Sequence, residues 1–274
     1  MKATINNKMP KKNIRYFLKD KLSQSELDLI PTSFDVIGSI LIFIDFPKQL
    51  KKKEKLIGQT ILDNLPHIKT VLKKTKKYSG RYRTPKYKVI SGIKTKETTH
   101  KENNVYVKLN VEKVYYSPRT STERARIASL IKKNESVLVM FSGSAVFPLV
   151  ISRNSSPSEV YGIEINPTAH KYAMENIKKF DNVKLFKGNV KKVMPKLNKK
   201  FDRILMPLPV GAEKYLSLAL EYIKPKGTIH FYYFSHERDL DKAKEIIKTT
   251  CKKSYRINKI VKCGQFGPGI FRYC

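Results

Sequence analysis

The sequence predicts an α/β protein with a parallel, Rossmann-like sheet, preceded by a small α/β module. Three observations predict this fold class. After residue 115, short apolar runs alternate with segments of helical spacing, which is typical of a parallel sheet covered by helices on both faces. Residues 160–177 read as a strand that ends in an acid, a tight turn and an amphipathic helix. Two extended segments, 254–263 and 269–273, are expected to pair as a C-terminal hairpin.

We expect three parts along the 274 residues. Residues 1–30 are polar and basic and read as a loosely held arm. Residues 31–113 are expected to form the small α/β domain, and residues 114–274 the larger sheet domain. The small domain opens with FDVIGSILIFIDF, which predicts two short β segments around Gly38. Helical spacing follows at residues 56–73, and two further strands are expected at residues 87–93 and 105–111.

The larger domain shows the alternation element by element. Its apolar runs predict strands at residues 136–141, 160–164, 183–186, 203–206 and 228–234. Segments with helical spacing lie between them, at residues 121–132, 167–179, 212–222 and 238–251. In such a sheet, ligands bind beyond the carboxyl ends of the strands, so the candidate site residues are sought there.

Charge is the strongest signal in the composition. Lys and Arg number 56 against 23 Asp and Glu, a net charge of +33, which local ion pairs cannot balance. A polyanion is therefore the expected partner, although a lysine-rich, solvated surface is the alternative reading. The longest apolar stretch, residues 36–46, is interrupted by polar residues and glycine, and the N-terminus has no signal-peptide core, so we expect a cytoplasmic protein that does not enter membranes. The three cysteines form no C-x-x-C pair, which argues against a metal site or disulfide framework.

Four strand ends offer groups suited to a nucleoside cofactor. Glu164 ends the second strand, where an acid accepts hydrogen bonds from ribose hydroxyls, although an ordinary strand-end charge is an equal alternative. Gly143 lies in the turn after the first strand and would let the backbone approach the cofactor, with Phe141 beside it. Asn189, after the third strand, could meet an adenine edge or simply form a turn.

The fourth strand end is a stiff loop. Pro207 and Pro209 stop the strand ladder after Met206 and would border the cofactor pocket. Upstream, VYYSPRTSTERARIASL combines an extended segment with a helix start. Glu123 stands there among arginines, either as a helix-start acid favoured by the helix dipole or as a general base.

Five ordered blocks resemble the archaeal and eukaryotic tRNA (guanine-N1)-methyltransferases that modify the nucleotide 3′ of the anticodon, position 37. They are SFDVIG, HKENN, YYSPRTSTERARI, EINPTAHKYAMENI and DRILMPLP. The resemblance runs from about residue 31 to the C-terminus. It implies a class I methyltransferase sheet closed by a C-terminal hairpin, S-adenosylmethionine as the cofactor and the anticodon stem-loop of tRNA as the partner of a monomer.

The resemblance also implies roles for individual residues. Glu123 matches the general base, which would take the N1 proton of guanine, and Arg83, in the G-x-Y-R stretch, matches the arginine that stabilises charge on O6. No metal is required by this chemistry. Further residues are assigned to ligand contacts. Tyr116 is expected to contact the cofactor, and Tyr115, Arg119 and Arg124 are expected to contact tRNA.

Residues 69–88 carry a dense basic run interleaved with tyrosines, which suits contacts to phosphates and stacking on bases. We expect tRNA contacts from Lys73, Lys74, Lys76 and Lys77.

The chain departs from the family pattern in its cofactor motifs, at Val139, Ala145, Asn189 and Pro207. Two alternatives to guanine methylation therefore stay open. One is an aminocarboxypropyltransferase of the wybutosine pathway, which uses the same cofactor on a similar scaffold. The other is a tRNA-binding protein without catalytic activity, which would bind tRNA in a salt-sensitive way with no saturable cofactor site.

Overall fold

The computed structural model describes residues 14–208, 210–252 and 254–274, apart from the side chain of Lys77. This part of the chain forms two compact units. The first takes the chain up to His100 together with Asn110–Glu112, and the second takes Lys101–Leu109 and Lys113–Cys274. Residues 1–13 of the predicted arm and Pro209 of the predicted cofactor pocket lie outside the described residues. The predicted domain limits, 31–113 and 114–274, stay a prediction.

The first unit is a four-stranded sheet with helices packed on it. Its elements are α1 (Ile14–Leu18), α2 (Gln24–Leu29), β1 (Phe34–Ile37), β2 (Ile40–Phe43), α3 (Glu54–Asn64), β3 (Thr70–Ser79) and β4 (Thr84–Gly92). The strand order is β1-β2-β3-β4. β2 and β3 run parallel because α3 connects them as a crossover, whereas the other neighbours pair antiparallel. Gly38 makes the tight β1–β2 turn with a φ of +55°, where a Cβ would lie 2.2 Å from Thr98 Oγ1.

Residues 14–30 differ from the arm expected of them. Ile14, Leu18, Leu22, Leu27 and Ile30 are buried in the same core cluster as the apolar face of α3. Ile14 and Leu18 lie on the inner side of α1 and Leu27 on that of α2, while Leu22 lies between the two helices and Ile30 directly after the second. A capping box at the start of α2 fixes the chain between them, because Ser23 and Glu26 bond reciprocally to each other's backbone N–H.

The division between the units falls within a hairpin of β5 (Glu97–Glu102) and β6 (Val105–Asn110). The second unit then continues as an alternation of helices and strands: α4 (Ser121–Ser129), β7 (Ser136–Met140), α5 (Val146–Asn154), β8 (Glu159–Glu164), α6 (Pro167–Asn176), β9 (Val183–Lys187), α7 (Val190–Val193), β10 (Phe201–Met206), α8 (Leu216–Tyr222) and β11 (Ile223–Phe231). The five strands of this sheet are parallel, in the order β11-β10-β7-β8-β9. Strand order reverses between β7 and β10, which is where such sheets bind their ligands.

A small antiparallel sheet completes the second unit. It contains β12 (Tyr233–His236), β13 (Lys262–Gly267) and β14 (Ile270–Tyr273) in the order β12-β14-β13, and α9 (Leu240–Thr250) lies between its first two strands in sequence. The predicted fold class and the C-terminal hairpin are confirmed. Two details differ: the strand expected at residues 228–234 is divided between β11 and β12, and the first hairpin strand starts at residue 262, not at 254.

The sequence reading missed helix α5. Val146, Leu149, Val150 and Ile151 are all buried, so this helix lacks the polar face that would reveal its period. Helix α5 follows directly on the turn after β7. Because the helix is buried, it fixes the position at which that turn ends.

Candidate cofactor and nucleotide site

The turn after β7 has an unusual backbone. Phe141, Gly143 and Ala145 adopt positive φ angles of 59°, 59° and 67°. Such angles are costly for residues with a side chain, and they concentrate at ligand-binding turns. A Cβ on Gly143 would have only Tyr115 O, at 3.8 Å, within 4 Å, so the space beside the glycine is open. The glycine therefore lets a ligand approach the backbone.

Glu164 links this turn to the tip of β8. Its Oε2 accepts a hydrogen bond from Gly143 N at 2.7 Å, and its Oε1 accepts one from Asn166 N at 2.6 Å. Burial raises the pKa of Glu164 above its ordinary value, although the backbone hydrogen bonds act in the opposite direction. A carboxylate has about four acceptor positions, and the backbone N–H groups of Gly143, Ile165 and Asn166 use three of them, so Glu164 can still accept a hydroxyl hydrogen of a ribose.

The turn also contains polar atoms that lack partners. Ser142 Oγ and Ser144 Oγ are buried, and neither has a hydrogen-bond partner among the described residues. Buried hydroxyls of this kind are rare unless a ligand or water satisfies them. Together with the open space at Gly143, they fit a polar, nucleoside-containing cofactor such as S-adenosylmethionine.

Aromatic rings border the turn on the side of β9 and β10. The rings of Phe141 and Tyr215 meet edge to face with centroids 5.1 Å apart, and Lys191 Nζ lies 5.4 Å from the centroid of Tyr215. Asn189 caps α7, since its Oδ1 accepts a hydrogen bond from Lys191 N at 2.9 Å. Its amide nitrogen is then the group that would meet an acceptor on adenine. Sequence reasoning missed Tyr215, whose only signal is its place shortly after the proline loop.

Pro207 follows β10 in a tight turn in which Leu208 N donates to Met206 O at 2.7 Å. The turn ends the strand at the carboxyl edge of the sheet, as the sequence predicts, and the proline ring cannot donate a ladder hydrogen bond. Pro207 thus shares this edge with Phe141, Gly143, Glu164 and Asn189.

Glu123 is held from two sides. Its side chain is buried in the first turn of α4, and Arg126 binds it in a forked ion pair, with Nε 2.6 Å from Oε2 and Nη2 2.7 Å from Oε1. Tyr232, next to β11, donates its hydroxyl hydrogen to Oε1 at 2.6 Å. Burial raises the pKa of Tyr232 far above its ordinary value, so the hydroxyl keeps this hydrogen. The hydrogen bonds with Glu123 likewise raise the pKa of Arg126.

The structure corrects the assignment of Arg124 to tRNA binding. Its guanidinium is buried and binds Glu102 through Nε at 2.5 Å and through Nη2, while Nη1 donates to Thr120 Oγ1. Tyr116, assigned to the cofactor, is buried in the same cluster and donates its hydroxyl hydrogen to Glu102. The Arg124 guanidinium also lies 5.3 Å from the Tyr116 ring centroid. These groups hold β5 and α4 together and present no charge to a phosphate.

Two predicted nucleotide contacts are accessible. Tyr115 is 41% exposed, and its hydroxyl oxygen accepts a hydrogen bond from Arg272 Nη2 at 3.4 Å. Arg119 is exposed on the single turn Pro118–Thr120 that leads into α4. Their contacts to RNA stay a prediction.

Arg83 belongs to the first unit and lies at the exposed tip of the β3–β4 hairpin. Its φ is +48°, a left-handed conformation, and its N–H donates to Gly80 O at 3.2 Å to close the turn. A positive φ at a residue other than glycine costs on the order of 1 kcal/mol, which the hairpin sustains. The backbone thus presents the Arg83 side chain at the tip instead of along a strand.

The predicted lysines of this hairpin have different surroundings. Lys73 is partly buried and bound to Glu54, which Lys88 also binds at 3.0 Å, so Lys73 stabilises the fold of the unit, and its contact to tRNA stays a prediction. Lys74 lies 4.3 Å from the ring centroid of Tyr78, and Lys76 is exposed. The side chain of Lys77 lies outside the described residues.

Two further observations concern the part of the chain that the structure describes. It contains no group of three or more His, Cys, Asp or Glu side chains placed to hold a metal ion. None of its helices is both long and apolar enough to cross a membrane.

Two family descriptions match the chain. Residues 98–260 match the TRM5/TYW2 methyltransferase domain, and residues 14–95 match the TYW2 N-terminal domain. The resemblance seen in the sequence blocks is confirmed by these matches.

Three relatives illustrate the range of the family. The Pyrococcus abyssi tRNA (guanine(37)-N(1))-methyltransferase Trm5b is 40% identical over 77% of this chain and 62% of its own length. The Nanoarchaeum equitans tRNA (guanine(37)-N(1))/4-demethylwyosine(37)-methyltransferase Taw22 is 32% identical over 78% of this chain and 88% of its own. The Methanocaldococcus jannaschii tRNA(Phe) (4-demethylwyosine(37)-C(7)) aminocarboxypropyltransferase is 34% identical over 74% of this chain and 83% of its own.

Solved structures agree with these relatives. Trm5b from Pyrococcus abyssi superposes with a TM-score of 0.82 at 34% identity and covers 92% of this chain and 76% of its own. A complex of aTrm5 with tRNALeu gives a TM-score of 0.83 at 27% identity, and the match covers 97% of this chain and 77% of the aTrm5 chain. M. jannaschii TYW2 in complex with AdoMet gives a TM-score of 0.65 at 26% identity, and the match covers 88% of this chain and 96% of the TYW2 chain. Because the methyltransferase-domain match alone covers more than half of the 274 residues, the chain belongs to the TRM5/TYW2 methyltransferase family.

Proposed function

We propose that this chain transfers a methyl group from S-adenosylmethionine to N1 of guanine 37 in the anticodon stem-loop of tRNA. The observation that carries the proposal is the buried carboxylate of Glu123. It is held by Arg126 and Tyr232, in the same unit as the turn after β7 that contains Gly143. Guanine N1 carries a hydrogen at neutral pH and is a poor nucleophile, so its methylation needs a base in a fixed orientation. A carboxylate held from two sides meets that need.

The proton chemistry follows from the Glu123 contacts. Oε2 accepts one hydrogen bond, from Arg126, and a carboxylate oxygen has capacity for a second. We assign Oε2 to the N1–H of guanine, while Oε1 is occupied by both Arg126 and Tyr232. A positioned base of this kind contributes about 10²- to 10⁴-fold to the rate.

The cofactor would be held at the carboxyl edge of the parallel sheet. When bound, S-adenosylmethionine supplies an electrophilic methyl group. Glu164 would accept a hydrogen bond from a ribose hydroxyl, and Gly143 would allow the backbone to come close to the ligand. The partnerless hydroxyls of Ser142 and Ser144 would bond to its polar groups.

Arg83 is proposed to stabilise the negative charge that develops on guanine O6 when N1 loses its hydrogen. The guanidinium is permanently charged and offers several N–H donors in a fixed plane. Removing one such donor from a charge-stabilising site typically lowers the rate by about 10²- to 10³-fold. Support for the role comes from the match to the family's G-x-Y-R stretch and from the strained backbone at Arg83.

A single-turnover assay tests the proposal. Cofactor carrying an isotopic label on its methyl group is mixed with an unmodified tRNA transcript and with a second transcript in which guanine 37 is replaced by adenine. We expect label on the first transcript and none on the second. Equal labelling of both would contradict the assignment of the target, and binding of tRNA without labelling would favour the non-catalytic reading.

Aminocarboxypropyl transfer is the second candidate, and one observation favours it. Residues 14–95 match the N-terminal domain of TYW2. The same assay separates the two reactions when it is repeated with label on the aminobutyryl carbons and with tRNA carrying 4-demethylwyosine at position 37. Transfer of that label, with no transfer of methyl label, would replace methylation by the second reaction.

A further inference from the structure

The C-terminal sheet exposes a phenylalanine on its surface. Phe266, on β13, is 65% exposed, the highest value among the large apolar side chains that the structure describes. Its ring lies against that of Phe234 on β12, with centroids 4.4 Å apart and planes tilted by 34°. Phe234 thus holds one face of the Phe266 ring and leaves much of the rest to solvent. An exposed aromatic ring fixed from behind has little conformational entropy left to lose on binding.

A cation lies in the same row of the sheet. Arg272, on β14, pairs across the sheet with Phe234 on one side and with Gly264 on the other. Its guanidinium carbon is 5.4 Å from the centroid of Phe234, a cation–π contact. Arg272 Nε is buried and has no hydrogen-bond partner among the described residues. This part of the sheet therefore places the rings of Phe234 and Phe266 beside the guanidinium of Arg272.

Two glycines keep the surface beside the rings open. A Cβ on Gly264 would meet only Arg272 Cβ, at 3.9 Å, and a Cβ on Gly267 would meet no described atom within 4 Å. Gly267 directly follows Phe266 in β13, and Gly264 lies two residues before it. These two positions therefore add no side chain to the surface beside the ring.

This surface is continuous with the predicted nucleotide contacts. Arg272 Nη2 donates to the hydroxyl of Tyr115, and β13 lies next to the turn Pro118–Thr120 that carries Arg119. Glu123 follows three residues after that turn, in the same unit.

We propose that Phe266, backed by Phe234 and flanked by Arg272, stacks an unpaired nucleobase of the RNA loop that carries the target purine. The inference rests on the proposed function for the identity of the RNA. An aromatic ring beside an arginine is the surface on which single-stranded RNA bases stack, and the chain's net charge of +33 suits an RNA backbone around it. A phenylalanine buries about 150–250 Å², the size of one base, whereas a protein partner needs about 800 Å².

The test uses the full chain and an anticodon stem-loop RNA, with no cofactor present. Fluorescent 2-aminopurine replaces each loop nucleotide in turn, and its quenching by the protein is measured together with the Kd. We expect quenching at one loop position in the wild type, loss of that quenching in Phe266→Ala, and a Kd about 5- to 100-fold weaker. Phe266→Trp should preserve both, since it keeps a stacking face.

Tyr106→Ala is the matched control. Tyr106 is 63% exposed in the same unit, with Lys101 Nζ 5.4 Å from its ring centroid, but it lies on β6, which pairs with β5 and is not a strand of this sheet. We expect its Kd to stay within about twofold of the wild type, because it is not part of the proposed surface. The dependence of the Kd on salt should be the same in Phe266→Ala and the wild type, since no cation is removed.

Three outcomes would overturn the proposal. The first is an unchanged Kd in Phe266→Ala. The second is an equal loss of affinity for the stem-loop and for a fully paired RNA of the same length. The third is self-association of the wild type that Phe266→Ala abolishes without changing the Kd for RNA, which would make the surface a contact between copies. Absence of methyl transfer with quenching intact would reject the proposed function and leave this inference standing.

Discussion

Tyr232 donates a hydrogen bond of 2.6 Å to Glu123 Oε1, which joins the end of the parallel sheet to the first turn of α4. The contact is buried, and Arg126 completes it from the same helix. A carboxylate fixed in this way has one orientation in which to meet a substrate. The first prediction tests whether that orientation serves proton transfer.

Glu123→Gln is expected to slow single-turnover methyl transfer by at least about a hundredfold, because the amide cannot accept the N1 proton. Affinities for tRNA and for S-adenosylmethionine should stay close to those of the wild type in equilibrium binding. Glu175→Gln, at an exposed glutamate paired with Lys108, is the control and should transfer methyl normally. Full activity in the Glu123 variant would make that residue a structural acid of the helix start.

Arg83→Gly separates backbone strain from chemistry. Glycine accepts the positive φ of this position, so the free energy of unfolding should stay within about 1 kcal/mol of the wild type. The transfer rate should fall by about 10²- to 10³-fold because the guanidinium is lost. Arg81→Gly, two residues earlier in the same exposed turn, is the comparison variant, and a similar fall in its rate would remove the specific role of Arg83.

Arg124→Met should destabilise the second unit by about 3–5 kcal/mol, since it leaves Glu102 buried with its charge unpaired. The double variant Glu102→Leu, Arg124→Met should recover most of that loss. Denaturant unfolding followed by circular dichroism measures both. If Arg124→Met proved stable but defective in tRNA binding, Arg124 would be reinstated as an RNA contact.

Lys73 and Lys76 are expected to respond differently to loss of charge. Lys73→Gln should lower the free energy of unfolding by about 1–3 kcal/mol, because Glu54 loses one of its two partners. Lys76→Gln should leave stability within about 0.5 kcal/mol and weaken tRNA binding, with a salt slope smaller by about 0.9 if one phosphate contact is lost. Melting curves and binding at several salt concentrations test this pair, and identical behaviour of the two variants would contradict it.

Asp202 should contribute to acid sensitivity. Burial acts to raise its pKa, but hydrogen bonds from Lys224 and Ser136 outweigh it and lower the pKa from 3.8 to about 2. The stabilisation is therefore present above pH 3.8 and is lost as the pH falls towards about 2. Asp202→Asn should cost about 1–2 kcal/mol at neutral pH, with a difference from the wild type that shrinks through that window. A difference that does not change with pH would exclude this cause.

The centre of the parallel sheet was predictable because β7 and β10 are buried on both faces and read as nearly continuous apolar runs. Helix α5 was missed for a related reason, because its residues 146–151 are all apolar and show no helical period. Residues 14–30 were misjudged for the opposite reason: their few apolar residues are diluted by polar ones, and only the fold brings Leu18 and Ile30 into one core.

The site followed the same pattern. The meeting of Glu164 and Gly143 could be predicted because each stands at a strand end whose place in the fold the sequence already indicates. Tyr232 could not be found, because 109 residues separate it from Glu123 and the turn between β11 and β12 alone brings them together. Arg124 was misassigned because the sequence does not reveal that Glu102 lies beside it in the interior.

The ion pairs of Glu54 have a mechanical consequence for the β3–β4 hairpin. β3 runs from Thr70 to Ser79, so the strand is about 30 Å long from Thr70 to its end but only about 20 Å long from Lys73. A bend of about 5° at Thr70 would displace the end of the strand by about 3 Å, whereas the same bend at Lys73 would displace it by about 2 Å. The ion pairs of Glu54 hold Lys73 and Lys88 to the start of α3. They therefore shorten the part of the hairpin that can bend, and they reduce the displacement of Arg83 at its tip by about a third.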